Sequence, residues 1–138
     1  MIIGINIDAM NAKINKDVKL EKKLSVTNVP GITSIEKAEV LELKDVILIK
    51  FSYKTNYEPD IGEILIEGHV LYKDPDAKKF LKKWEDKKEI DKRMAVEVLN
   101  GVFRKCLTRA IDLSLELRLP PPIQFPIVTD QPQEEQKD

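Results

Sequence analysis

The chain has 138 residues, of which 42% are hydrophobic and 34% are charged, so it has enough apolar material for one domain with a hydrophobic core. Its 23 basic and 24 acidic residues leave a formal net charge of −1, which argues against a broad electrostatic surface for nucleic acid or an anionic membrane. The single cysteine, Cys106, excludes an intramolecular disulfide and is typical of a reducing compartment. Because no apolar stretch has the length of a signal peptide or a membrane span, we expect a cytoplasmic protein that does not insert into membranes.

The N-terminal third is predicted to form strands. Ile3, Ile5 and Ile7 alternate with Gly4, Asn6 and Asp8, which indicates a half-buried strand. The lysine-rich residues 13–23 favour an exposed edge or a crossover. Pro30-Gly31 predicts a turn, and residues 32–43 are interpreted as a strand. Residues 36–43 are rich in helix formers, so a helix stays open there as the alternative.

A long hairpin over residues 46–72 is the clearest element. Its turn is predicted at residues 58–62, where Pro59 restricts φ and Gly62 can adopt a left-handed conformation. Gly68, in the middle of the return strand, predicts a bulge or the close approach of another backbone. The positions that alternate onto one apolar face are Ile47, Ile49, Phe51, Tyr53, Thr55, Tyr57, Ile64, Ile66, Val70 and Tyr72. Leu65 and Leu71 lie on the other, semi-polar face.

Two helices are predicted after the hairpin. Asp74 and Pro75 are the favoured N-cap and first residues of a short helix, whose apolar side carries Phe80, Leu81 and Trp84. A long helix follows over residues 91–119, with a break near Glu89-Ile90, and it is ended by the prolines 120–122.

The long helix has two apolar stripes. The first contains Leu99, Phe103, Cys106, Ala110, Leu113 and Leu117, and the second contains Val98, Val102, Leu107, Ile111 and Leu115. Together they are wider than one sheet contact requires. We therefore predict that a second copy of the chain covers part of this helix, through Val102, Leu107, Ile111 and Leu115.

The lengths of these elements agree with one another. A helix of about 28 residues spans about 42 Å and a strand of about 12 residues spans about 40 Å. This match predicts an α+β domain in which one long C-terminal helix packs on an antiparallel sheet of long strands, with a short helix before it. The domain is expected to include residues 1–128, and residues 129–138 are predicted to form a disordered polar tail.

Catalytic and cofactor motifs are not found in the sequence. Cys106 lies in the apolar helix stripe, where a buried structural thiol is the favoured interpretation. His69 is the only histidine and is interpreted as a strand residue at the surface or at an interface. The five scattered glycines form no phosphate loop. We therefore predict a protein that is not an enzyme and that has no metal and no cofactor.

Two features indicate binding. Lysines at 78, 79, 82, 83, 87 and 88 surround the short helix, and a contact with RNA or the ribosome is the specific alternative to a solvated face. The acidic residues Glu85, Asp86 and Glu89 argue against nucleic acid. The segment 123–128 is either a polyproline-type ligand or, as its Ile, Phe and Val content favours, the wall of an apolar groove.

The layout resembles the SecB-type export chaperones. The sequences VILIKFSY at 46–53 and GEILIEGHV at 62–70 are similar to the central hairpin of that family, and RKCLT at 104–108 is similar to the start of its long helix. The prolines at 120–122 and residues 123–128 look like the segment beyond that helix. The resemblance covers about residues 3–128, by the order of elements more than by identity, as in a divergent or archaeal-type relative.

The resemblance implies a four-stranded antiparallel sheet, assembly into a dimer or tetramer, and ATP-independent binding of unfolded polypeptides in apolar grooves. The exposure pattern suggests Leu65, Leu71, Trp84, Ile123, Phe125 and Ile127 as groove residues. Near-neutral charge argues against a role in export, because the bacterial chaperones are strongly acidic. The alternatives are a specific protein-interaction or assembly module, or an RNA-associated protein, on the same fold.

Overall fold

A computed structural model describes residues 1–15, 24–38 and 43–123. Four strands precede two helices along the chain. The strands are β1 (Ile2–Ile14), β2 (Ser25–Lys37), β3 (Val46–Glu58) and β4 (Gly62–Lys73), and the helices are α1 (Ala77–Lys87) and α2 (Lys92–Glu116).

The four strands form one antiparallel sheet in the order β1-β4-β3-β2. The predicted hairpin is its centre, and β1 and β2 are its edges. Registered pairs such as Ile49 with Val70 and Tyr53 with Ile66 place the predicted apolar residues on one face. These residues are buried beneath the two helices. We call this side of the sheet the helix face. The opposite side is called the outer face.

A register shift in β1 corrects the predicted alternation. Ile5 and Ile7 pair with Val70 and Gly68 and face the core, but the shift between Ile2 and Gly4 turns Ile3 outward. Ile3 is 37% exposed. A bulge changes which face of the sheet the following side chains point to. The strand predicted over residues 3–8 is therefore correct, but the face predicted for Ile3 is wrong.

The predicted turn at Pro30-Gly31 is wrong, because both residues lie inside β2, where they pair with Tyr53 and Ser52. Proline is tolerated in β2 because it is an edge strand. The strand predicted over residues 32–43 is correct as far as Lys37. Residues 39–42 and residues 16–23, where an edge or crossover is expected, lie outside the described part of the chain.

The turn between β3 and β4 lies at the predicted residues, but Asp60 takes the left-handed conformation, with φ of 51°. Gly62 instead begins β4. Aspartate tolerates this region better than most residues, and the prediction had assigned it to the glycine.

The two helices and the break between them are confirmed. The side chain of Asp91 accepts a hydrogen bond from the Met94 backbone N–H at 3.0 Å and caps α2. Helix α1 begins two residues later than predicted, at Ala77. The carboxylate of Asp74 instead accepts from the Asp76 backbone N–H at 2.8 Å in the preceding turn.

The buried face of α2 repeats every fourth residue, and its members are Met94, Val98, Val102, Cys106, Ala110 and Ser114. A period of four exceeds the 3.6 residues of a helical turn, so the buried stripe winds around the helix axis. The helix accordingly crosses the sheet, since Gly101 contacts Ile2 and Ile5 of β1 while its C-terminal end reaches β3 and β2. The two predicted apolar stripes therefore each contain some core residues and some flanking residues.

Gly68 is a point of close packing between strands. A Cβ atom added there would meet the Asn6 carbonyl oxygen and the Phe51 ring, at 2.7 Å from Cζ. The predicted close approach of another backbone is therefore confirmed, and the glycine is required because no side chain can be accommodated.

We expect Gly68→Ala to lower the free energy of unfolding by about 2 kcal/mol, as overpacking a filled site does. Urea-induced unfolding followed by circular dichroism measures the change. Gly4→Ala is the matched control in β1, because in the described part of the chain no atom lies within 4 Å of its added Cβ. Equal effects of the two substitutions would show that packing at Gly68 is not the constraint.

The three tyrosines, Tyr53, Tyr57 and Tyr72, are buried, and each is at most 1% exposed. Burial raises the pKa of each hydroxyl, for Tyr57 to about 12, and the Glu97 carboxylate adds to the increase at Tyr72. The unfolded chain therefore loses these protons at lower pH than the native chain. Their contribution to stability is complete below about pH 10 and is lost as the pH rises toward about 12.

An alkaline titration is expected to show tyrosinate absorbance appearing later in the native protein than in urea, and together with loss of circular dichroism. Tyrosinate that forms near pH 10 while the circular dichroism stays native would contradict this assignment.

Candidate functional site

Asn28 is the centre of a hydrogen-bond network on the helix face of β2. Its Oδ1 accepts hydrogen bonds from Tyr53 Oη at 2.9 Å and from Thr55 Oγ1 at 2.8 Å. Its Nδ2 donates to the Pro122 carbonyl oxygen at 3.0 Å. Tyr53 and Thr55 are fully buried, so Asn28 satisfies two hydroxyl donors of the core and attaches the chain that follows α2 to the sheet.

The chain turns back sharply after α2. Arg118 has a φ of 56°, the Leu119 N–H donates to the Ser114 carbonyl at 2.8 Å, and Leu119 is only 3% exposed. Tyr57 Oη then donates to the Pro120 carbonyl oxygen at 2.7 Å. The proline segment therefore lies over β3 and β2, at the side of α2.

Beyond Pro122, the helix face of β2 is bordered by partly exposed apolar side chains. Residue parity places Pro30 and Ile32 on this face, because they pair with the buried Tyr53 and Phe51. Helix α1 packs over β2 and β3, and α2 crosses beside it. We use the name β2 groove for the partly exposed apolar side chains on this side of the sheet, which are Pro30, Ile32, Leu81, Trp84 and Phe103.

Aromatic side chains of both helices contribute to the β2 groove. The Phe103 ring packs edge-on against Tyr53, with the ring centroids 5.7 Å apart. Leu99 lies four residues earlier, on the same side of α2. Trp84 is half-buried on α1, and Lys88 Nζ lies 5.0 Å from its ring centroid. Such aromatic groups provide large apolar contacts without demanding a particular sequence.

The predicted peptide-binding residues do not share one surface. Leu65 and Leu71 lie on the outer face, where they pair across strands with Lys54 and Leu48. Trp84 packs on the helix side, and Ile123 follows Pro122, which is bound there. Phe125 and Ile127 lie outside the described residues. A groove on one side of the sheet can therefore contain Leu65 and Leu71 or Trp84, but not all three.

The predicted oligomer-interface residues differ in exposure. Val102 is fully buried in the domain core, with no surface that a second copy could contact. Leu107 and Ile111 are half-buried, and Leu115 is 60% exposed. The period of four explains the difference, because it assigns Val102 to the sheet-facing stripe.

The outer face carries exposed ion pairs. Glu63 lies between Lys13, at 3.5 Å, and Lys54, at 3.3 Å. The hydrogen bond from Lys54 lowers the pKa of the Glu63 carboxyl most. Lys50 and Glu36 form a further exposed pair at 3.2 Å. This pattern indicates a solvated sheet surface around Leu65 and Leu71.

His69 and Cys106 lie on opposite sides of the sheet and cannot form a nucleophile–base pair. His69 is on the outer face, where Nδ1 is 2.8 Å from Asp8 Oδ2 and Nε2 is 3.3 Å from Asn6 Nδ2. One tautomer satisfies both contacts, with Nδ1–H donating to Asp8 and Nε2 accepting from Asn6. Cys106 is fully buried, and burial raises the pKa of its thiol to about 11. The predicted structural thiol is confirmed.

A cavity of about 630 Å³ lies at the end of the sheet, between the β2–β3 connection and α1. It is lined by Lys37, Lys44 and Lys78, among others. Over the ranges the structure covers, no cluster of three potential metal ligands is found. None of the helices in those ranges is long and apolar enough to cross a membrane.

Sequence reasoning missed the contribution of β2 to this surface. Pro30 and Ile32 were assigned to a turn and to the start of a strand, so neither was considered as groove residues. The available signal was Val26, Pro30 and Ile32 at alternate positions, as in a half-buried strand, but Asn28 and Val29 reverse the polarity in the middle of this pattern.

Comparisons with known proteins define the fold. No protein-family profile matches the chain, and no curated protein sequence is significantly similar to it. Among solved structures, it is similar to the SecB-like chaperone Rv1957 of Mycobacterium tuberculosis, in complex with a ChAD peptide from the Rv1956 HigA1 antitoxin. The TM-score is 0.58 at 16% sequence identity, over 96% of this chain and 92% of that one. The chain therefore has the SecB-like α+β fold, in a divergent form.

Proposed function

We propose that this chain is a non-enzymatic, ATP-independent, chaperone-like protein of the cytoplasm. It binds unfolded or extended polypeptides in apolar grooves of a homo-oligomer. The observation that carries this proposal is the fold that it shares with a SecB-like chaperone solved with a bound peptide. Because one fold can serve several functions, the proposal also requires a suitable surface on this chain.

The β2 groove is the surface to which we assign the binding of client polypeptides. It combines two aromatic side chains, Trp84 and Phe103, with aliphatic positions on β2. Contacts of this kind accept many sequences, because they depend on apolar area more than on directional hydrogen bonds. The exposed lysines of α1 border the groove and would keep such a surface soluble.

The positions of the two residues most capable of chemistry support the non-enzymatic part of the proposal. His69 uses both ring nitrogens in contacts with Asp8 and Asn6. The Cys106 thiol is buried in the core and is held neutral by its raised pKa. The thiol is therefore out of contact with solvent, and the imidazole is engaged by two neighbours.

One observation favours a second candidate function, a module that binds one specific partner. The peptide bound to the similar structure comes from one named antitoxin, which is a specific segment and not a general client. A single protein recovered in pull-downs, without activity on unfolded clients, would support this second function over the first.

Self-association is the remaining part of the proposal. Helix α2 carries exposed apolar residues away from the sheet, with Val96 62% and Leu115 60% exposed. Leu107 and Ile111 extend this surface as half-buried neighbours. A second copy would remove these side chains from water, which is the usual reason for apolar residues at such positions.

Alanine substitutions at Trp84 and Phe103 are expected to weaken client binding about tenfold each, since truncating an aromatic anchor costs on the order of 1–2 kcal/mol. Binding is measured without ATP, by fluorescence anisotropy of labelled, reduced and carboxymethylated lactalbumin. Leu65→Ala and Leu71→Ala on the outer face are matched controls that should bind as the wild type does.

If only the outer-face variants bind clients more weakly, the client site lies on the outer face and not in the β2 groove. If the wild-type protein binds none of several unfolded clients, and does not suppress their aggregation in light-scattering assays, the chaperone proposal is wrong.

We expect the purified protein to form a dimer or tetramer, and Leu115→Asp to shift it toward the monomer, because the new charge would be desolvated at the interface. Size-exclusion chromatography with light scattering measures the mass. Leu65→Asp is the control on the outer face. A wild-type monomer at all accessible concentrations would refute self-association.

A further inference from the structure

The cavity at the end of the sheet has an apolar floor. Its volume of about 630 Å³ is within the range of about 300–1,000 Å³ that small-molecule sites occupy. Ile47 of β3 and Ala77 of α1, which are 2% and 1% exposed, form the floor. Val46 and Leu81 are half-buried and extend this apolar surface outward. None of the described lining residues is aromatic, so the cavity suits an aliphatic group more than a flat ring.

The mouth of the cavity is positively charged. Lys37 ends β2 and pairs with Ile47, which places it on the helix face of the sheet. Lys44 precedes β3, and Lys78 lies in the first turn of α1. All three lysines are exposed and line the cavity, against Asp45 as the acidic residue of the described lining. Because three separate elements bring positive charge to one opening, the cavity favours an anion.

Backbone hydrogen bonds hold the walls of the cavity together. Asp45 has a φ of 59°, and its carbonyl oxygen accepts from the Asp74 N–H at 3.0 Å. The Asp74 carbonyl oxygen accepts from the N–H of Ala77, the first residue of α1, also at 3.0 Å. The residue before β3 is thereby connected to the N-terminus of α1. A ligand enters a cavity that is already formed, which lowers the entropic cost of binding.

We propose that this cavity binds a small amphiphilic anion, with its aliphatic body on the apolar floor and its carboxylate at the lysines of the mouth. Displacing water from the aliphatic lining gives an affinity that rises with the length of the ligand. The lysines select for the charged head, through charge-assisted hydrogen bonds. Leu81 is the one described residue that the cavity shares with the β2 groove, and the site does not depend on the function proposed above.

Saturated carboxylates of increasing length test the apolar contact. Hexanoate, octanoate, decanoate and dodecanoate are titrated into the full chain by isothermal calorimetry, below their micellar concentrations. The affinity should rise by up to about fourfold per methylene until the cavity is filled. Decanol, which has no charge, should bind about tenfold more weakly than decanoate. No binding by the four carboxylates, no dependence on their length, or equal affinity of decanol and decanoate would refute the proposal.

Variants at the mouth locate the site. Lys44→Gln with Lys78→Gln should weaken decanoate binding about tenfold. Lys83→Gln with Lys87→Gln is the matched control, because it removes two charges from the same region outside the cavity lining. Leu43 lines the cavity and is 43% exposed, so Leu43→Asp should leave the fold intact and abolish binding by repelling the carboxylate. Circular dichroism verifies that each variant is folded.

The β2 groove is the competing location for an aliphatic ligand. Phe103→Ala alters the groove and should leave decanoate binding unchanged. Loss of binding in Phe103→Ala, with unchanged binding in Leu43→Asp, would assign the ligand to the groove and overturn the cavity site. Equal weakening by both lysine pairs would show a general effect of charge and would also overturn it. Decanoate binding by a protein without activity on unfolded clients would support the cavity site and contradict only the chaperone function.

Discussion

The architecture depends on a mismatch in width between the sheet and its main helix. Four strands cover about 19 Å across the sheet, whereas an α-helix with its side chains is about 10 Å wide. Only one face of the sheet is apolar, and α2 alone cannot cover it. The helix crosses this face from β1 toward β2, and the remaining area near β2 is left to α1 and to the proline segment. The β2 groove lies where α1, α2 and the proline segment meet.

The polar interactions of the core follow from the same mismatch. The tyrosines of the sheet are long enough to reach the layer of the helices, and each hydroxyl requires a partner there. Tyr72 donates to Glu97 on α2 at 2.6 Å, Tyr57 donates to the Pro120 carbonyl, and Tyr53 donates to Asn28. The first two bonds connect the sheet to α2 and to the proline segment. Asn28, itself in β2, links Tyr53 to the same segment through the Pro122 carbonyl. A segment without side-chain donors, such as the prolines, can thereby be fixed by its carbonyl groups alone.

Local patterns in the sequence were sufficient where one physical rule dominated. The β3–β4 hairpin, the start of the long helix near Asp91 and the close approach at Gly68 were predicted from alternation, helical periodicity and the position of a glycine inside a strand. Predictions were wrong where a tertiary contact overrode the local rule. Pro30-Gly31 has turn chemistry, but the edge position of β2 removes the penalty for proline in a strand, and Ile3 was displaced by a bulge that alternation cannot reveal. Val102 was predicted to contact a second copy, but burial along α2 recurs at every fourth residue and places Val102 against the sheet.

The candidate site was less predictable than the fold for a related reason. Leu65 and Trp84 both belong to partly apolar surfaces, and sequence alone does not show that the sheet separates them. The structure distinguishes the two surfaces by their surroundings, since Leu65 is paired with Lys54 next to an ion-paired glutamate, whereas Trp84 packs against the core. A groove that binds many polypeptides must remain apolar and partly exposed, and the same property makes it a site of self-aggregation.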